Sequence, residues 1–180
     1  MSADESPWAK GGLRIARAAF EAAKADAVRG YAEDAEACGY LRGPASDALY
    51  ADEAVLLENL ASKLHRIDPV TYFRSARTFF AFNEKKFDDA VRRSKGEGRP
   101  VKVLYHSHLD AGAYFSPTDR AVMSLGEPPA VEGGAITLGP GPSYALAYLV
   151  LSVRAAGVDD ARLFVWDGRD FAPSEFTVEP

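Results

Sequence analysis

The chain has 180 residues, of which 47% are hydrophobic and 26% charged, enough to bury one sizeable core and too few for two comfortable ones. A net charge of −5 and a pI near 5.3 give no electrostatic basis for binding nucleic acid or an anionic membrane surface. The single cysteine, Cys38, rules out an internal disulfide. The longest apolar run, YALAYLVLSV, is far too short to cross a bilayer, and the opening MSADESPWAKGG lacks the basic and apolar regions of a secretion signal, so the expected location is the cytoplasm.

Residues 1–12 are polar and end in glycines, which predicts a flexible arm ahead of one domain spanning residues 13–180. Residues 13–31 are alanine-rich, and Ile15, Ala19, Ala22 and Val28 recur at helical spacing, so a helix packed on the core is expected there. EACGYLRG and LYADEAVLLEN read as neighbouring strands joined by the turn-rich GPASDA. In the segment that follows, Pro69 argues against a central strand, while RTFFAF has the aromatic density of a strand edge or a packing lid. Asn83 can cap the next helix, with Glu84 in its first turn, Phe87 and Val91 four residues apart, and Gly96 and Gly98 at its end.

RPVKVLYHSH then reads as a buried strand that carries two histidines out at its end. Ser116 and Pro117 suit the N-cap and first residue of a short helix, which places Asp119 in the first turn. Residues 127–142 are rich in glycine and proline and should form a loop, and three strand candidates complete the chain: SYALAYLVLSV, ARLFVWDG and DFAPSEFTV. The order of elements predicts an α/β fold, a mixed sheet flanked by helices. No glycine-rich phosphate loop is present.

The chemistry concentrates in YHSHLDAGAYFSPTD. His106 and His108, one residue apart on a strand, point to the same face and can share an ion, and the seven residues before Ser116 give the chain room to return with Asp119 as a third, anionic ligand. Two imidazoles and a carboxylate satisfy zinc and leave a fourth position for water, the arrangement of a catalytic site. Ser116 is placed to donate to an oxyanion, and a base is also required; several carboxylates could serve, and spacing alone does not choose among them.

His-Ser-His, seven residues, Ser, two residues and Asp resembles the signature of the JAMM metalloproteases, also called the MPN+ or Mov34/PAD-1 family, compact bacterial members above all. Their upstream glutamate, often followed two residues later by Cys-Gly, has its counterpart in EACG, where Glu36 precedes Cys38 and Gly39, and the likeness in element order runs over roughly residues 13–168. Leu109 stands where many members have proline. The resemblance implies an MPN/JAB-like, cytidine-deaminase-like sandwich, one zinc ion on His106, His108 and Asp119, Glu36 as general base and acid, and Ser116 at the oxyanion. It also implies cleavage of a peptide or isopeptide bond after the C-terminal glycine of a ubiquitin-like β-grasp protein. A non-catalytic scaffold module of the same fold, or a zinc amidohydrolase of a small molecule in a closed pocket, are the alternatives.

Other residues carry plainer expectations. His65 lies among basic neighbours and reads as a surface residue, Cys38 as a small buried apolar one, and Glu33 and Asp34 as a solvated turn. Asn59 either reaches the site or ends a strand by bonding to backbone. Tyr72, Phe73, Phe79, Phe80 and Phe82 either pack in the core or receive an extended peptide by strand addition, and Tyr114 and Phe115 either pack or shape the mouth of the cleft.

Overall fold

A computed structural model describes Trp8 and residues 11–180. In chain order the elements are β1 (Leu13–Ala16), α1 (Arg17–Ala32), β2 (Cys38–Arg42), β3 (Tyr50–Ala51), β4 (Glu53–Leu57), α2 (Ala61–Ile67), α3 (Glu84–Gly96), β5 (Val101–Leu109), α4 (Pro117–Met123), β6 (Ala147–Arg154), β7 (Gly157–Trp166), β8 (Phe171–Ser174) and β9 (Phe176–Glu179). A six-stranded mixed sheet runs β4-β2-β5-β6-β7-β8, antiparallel throughout except for the β5–β6 pair. A second sheet of three parallel strands has the order β3-β1-β9.

Alternation along β5 divides the interior in two. Val103 and Tyr105 join Leu149 and Leu151 of β6 on one face, under the small residues Ala19, Ala23 and Ala27 of α1. These recur at intervals of four along the helix, so a narrow alanine stripe lets α1 lie close to the sheet. Leu104, Tyr148 and Val150 face the other way, against Phe87 and Ala90 of α3 and the aromatic group around Phe115 and Phe171. All nine residues of β5 are buried, as its place at the centre of the sheet requires.

Several expectations change in detail. Residues 13–16 form a strand: Leu13 and Ile15 are fully buried, and the strand is paired on both sides by β3 and β9, so tertiary pairing overrides the helical spacing of the alanine-rich stretch. The strand read over 49–59 breaks at Asp52 into β3 and β4, which belong to different sheets. The last candidate likewise divides at Glu175, where the chain leaves the large sheet for the small one. Most of the expected arm lies outside the described residues, and Trp8 within it is buried in the α1-side core. No helix among the described residues is long and apolar enough to cross a membrane.

Candidate metal centre

The C-terminal end of β5 presents His106 and His108 on the α3 side of the sheet, both buried. The helix that follows supplies the third group. Ser116 caps α4 with Pro117 at the first position, and a capping box forms: Ser116 Oγ accepts from the Asp119 amide at 3.1 Å, while Asp119 Oδ2 accepts from the Ser116 amide at 2.9 Å. That reciprocal pair fixes the Asp119 side chain, and the same Oδ2 stands 3.4 Å from Nε2 of each histidine. The two Nε2 atoms are 3.2 Å apart.

These separations suit a single ion. Bonds of about 2.0–2.1 Å to nitrogen and oxygen in a tetrahedral zinc site imply ligand-to-ligand distances of about 3.3 Å, matching all three edges. The donor set is also the right one, two imidazoles and a carboxylate converging from buried positions. His108 Nδ1 lies 3.0 Å from the carbonyl of Gly112, which accepts a hydrogen bond from Nδ1–H and leaves Nε2 its lone pair. Phe80 stacks on the His106 ring at 4.4 Å, and Tyr114 meets His108 edge-on at 4.9 Å. The described residues can therefore hold a metal ion at His106, His108 and Asp119.

Glu36 approaches from the neighbouring strand. Ser107 donates its amide to the Ala37 carbonyl, and the Ala37 amide donates to Ser107 Oγ, which extends the β2–β5 pairing one residue beyond Cys38 and His106. Glu36 thus falls on the same face as the two histidines, by the alternation of a strand. Its amide donates to Ala76, and its carbonyl accepts from Asn59. Burial, followed by the negative charge of Asp119, raises the Glu36 carboxyl well above the usual carboxylate range against the opposing charge of Arg74. Burial also pushes Asp119 upward, but its contacts with His106 and then His108 outweigh this and hold it far below the usual range. His106 is lowered, chiefly by burial.

The structure thus gathers His106, His108 and Asp119, with Ser116 capping the helix that carries Asp119 and Glu36 just ahead of β2, the strand next to β5. His65 is instead half-buried on α2, with Nδ1 2.6 Å from the Tyr72 carbonyl. Asn59 takes the second of its two roles and extends it. Its amide donates to the carbonyls of Glu36 and Phe79 and its oxygen accepts from the amides of Ala61 and Ala81, so one side chain ties the Glu36 backbone to residues 79–81. Phe80 packs in the core while Tyr72, Phe73 and Phe79 line a trough; residues 68–83 contain no strand, so they offer no edge for strand addition. Phe115 is core, and Tyr114 is half exposed beside His108. Arg74 and the stacking of Phe80 have no local signal in the sequence, because the segment that carries them has no periodicity.

Residues 15–161 match the family model described as prokaryotic homologs of the JAB domain. The chain belongs to that family. Among solved structures this JAB-domain chain is similar to a Desulfitobacterium hafniense protein determined in solution, with TM-score 0.61 and 17% identity over 93% of this chain and 92% of that one. It also aligns with a Salinibacter ruber protein (TM-score 0.49, 20% identity, 93% and 92% covered) and with a JAB1/MPN domain protein from Archaeoglobus fulgidus (TM-score 0.47, 13% identity, 93% and 100% covered). Comparison with curated proteins gives no match.

Proposed function

We propose that the protein is a zinc-dependent peptidase that hydrolyses the peptide or isopeptide bond after the C-terminal glycine of a ubiquitin-like β-grasp protein. The observation that carries this reading is the convergence of three buried ligand atoms at tetrahedral spacing beside a buried glutamate of raised proton affinity. A zinc ion held by His106, His108 and Asp119 would supply Lewis acidity, polarising the scissile carbonyl and making water acidic enough to ionise near neutral pH.

The protein's own residues do the rest. A Glu36 carboxylate oxygen takes a proton from the attacking water and returns it to the leaving nitrogen as the C–N bond breaks, giving one carboxylate and one amine per water consumed. Burial that raises its proton affinity makes Glu36 the stronger base toward the water. Ser116 Oγ already accepts from the Asp119 amide, so its hydroxyl proton is left to donate to the carbonyl oxygen as charge develops there. Phe80 and Phe115 exclude bulk water from the inner side of His106. The net charge of −5 gives no electrostatic basis for a nucleic-acid substrate.

The test is intact-mass analysis of a ubiquitin-like protein ending in Gly-Gly and fused to a short peptide, incubated with zinc-loaded wild type or with Glu36→Gln. Cleavage after the second glycine by wild type alone, with full zinc content in both proteins, is the expected result. Zinc loss in Glu36→Gln would make that residue a ligand instead of the base. Failure of zinc-loaded wild type on both linear and lysine-linked substrates would overturn the assignment.

A further inference from the structure

The two histidines stand near the end of β5, and the chain continues as Leu109-Asp110-Ala111-Gly112, with no proline and a closing glycine. Nothing covalent restricts such a turn, so bonds to its surroundings must set its shape. Its shape matters because the Gly112 carbonyl meets His108 Nδ1 at 3.0 Å, and the direction of that carbonyl decides which ring nitrogen carries the proton.

Every polar group of Asp110 is tied down. The residue lies in the left-handed region, with a φ of 54°, where most side chains are strained and aspartate or asparagine is tolerated. Its amide donates to the Val153 carbonyl of β6 at 2.9 Å, and its carbonyl accepts from Arg154 Nη1 at 3.1 Å. One carboxylate oxygen accepts from the Tyr31 hydroxyl of α1 at 3.0 Å, the other from Arg77 Nη2 at 3.3 Å. A single residue thus joins α1, the 68–83 segment and β6. The hydroxyl of buried Ser152 lies 2.7 Å from the Ala111 carbonyl, and the Gly112 carbonyl also accepts from the Tyr114 amide at 3.0 Å. Bonds at three successive residues therefore lead from β6 and α1 to the ring of His108.

The Asp110 and Arg77 side chains are each 45% exposed, and a pair so open to solvent contributes little to folding. Its effect is local, on the shape of the turn. We propose that Asp110 is a positioning residue for the metal centre: held by Tyr31, Arg77 and Arg154, it keeps the turn in the conformation that sets the Gly112 carbonyl on His108 Nδ1 and leaves Nε2 free for the ion. The proposal deepens the reading of the site and rests on His108 being a metal ligand, but not on the peptidase reaction.

Two measurements test it. In metal-free protein at about pH 8, above the ordinary histidine pKa, long-range proton–nitrogen NMR of the imidazoles shows which nitrogen of His108 is protonated. In zinc-loaded protein, transfer to a chromogenic chelator gives the rate of zinc release. Wild type should show one tautomer, protonated at Nδ1. Asp110→Ala should show both and release zinc about tenfold faster, the lower end of what losing the support of a ligand costs. Asp110→Gly takes a positive φ freely but has no carboxylate, so it should resemble the alanine variant. Asp110→Asn tolerates this φ and still accepts from Tyr31, so it should recover most of both signals. Tyr31→Phe should move both the same way by less. A merely structural role would lower the melting temperature and leave the tautomer and the release rate alone. The proposal is overturned if wild-type His108 carries its proton on Nε2, if folded Asp110→Gly matches wild type in both readings, or if Asp110→Asn is as impaired as Asp110→Ala. A tautomer and release rate that depend on Asp110, without cleavage of any Gly-Gly substrate, would instead remove the proposed activity and leave the positioning role; cleavage with both readings indifferent to Asp110 would do the reverse.

Discussion

Asp119 Oδ2 accepts from the Ser116 amide and faces both histidines, so one atom serves the helix start and the candidate metal site together. Asp119→Asn keeps an acceptor for the Ser116 amide but loses the anionic ligand. Metal analysis should find its zinc content well below one ion per chain, with the metal-free melting temperature little changed. Asp119→Ala should lose the ion and also about 1 kcal/mol of stability with the cap. Cys38 makes a separate prediction. Burial, with smaller contributions from Asp26 and Glu36, pushes its thiol from the ordinary 9.0 up to about 12. Above pH 9 the unfolded thiol gives up its proton while the folded one keeps it, so the unfolded state binds fewer protons and stability falls as pH rises through that window. Urea denaturation between pH 8.5 and 11 should show this slope in wild type and lose its Cys38 share in Cys38→Ala. Native Cys38 should likewise resist thiol reagents until the chain unfolds. The positions of His106, His108 and Asp119 were legible in sequence because their spacing is local to β5 and the start of α4, whereas Glu36 was reached only through the family resemblance, since spacing does not choose among the carboxylates. Arg74 was not legible, since its ion-pair partner Glu132 lies far along the chain.

At the scale of elements, two contacts beyond the five candidate site residues hold the frame around them. Asn59 makes four backbone hydrogen bonds that hold residue 36 beside residues 79–81. Asn59→Ala should cost about 2–4 kcal/mol in chemical denaturation, and should reduce turnover while zinc stays bound. Gly39, opposite Tyr105, has no room for a side chain: an added Cβ would collide with the Tyr105 ring and the Val55 carbonyl. Since Tyr105 also donates to the buried Asp26 of α1, it has little freedom to yield, and Gly39→Ala should destabilise by about 1–3 kcal/mol. Elements with local punctuation were read correctly. Asn83 caps α3 by accepting from the Lys86 amide, and Ser116 with Pro117 starts α4 where expected. β1 was misread because four residues between an arm and a helix are too few for a period of two to stand out from the alanine pattern beyond them. Its identity as a strand comes from partners at residues 50–51 and 176–179, which no local window contains.

For the whole molecule, the mixed sheet with helices on its faces followed from the order of elements, but its division into two sheets did not. The breaks at Asp52 and Glu175 occur inside apolar stretches that read as continuous, and each sends its flanking strands to different sheets. The small sheet buttresses α1 on the side of the large sheet away from the ligands. Ile15, fully buried between Ala51 and Val178, tests that separation. Ile15→Ala should cost about 2–5 kcal/mol of stability, while zinc affinity measured well below the melting temperature stays at the wild-type value. The pairing of Leu13 with Phe176 also has a consequence in time. During synthesis β1 leaves the ribosome early, yet its longer partner strand emerges only after all of the large sheet has been made. Until residue 179 is free, Ile15 has only Ala51 of β3 as a strand partner and Leu13 has none. This apolar strand edge therefore stays unpaired through most of synthesis, which makes it a segment for a chaperone to cover.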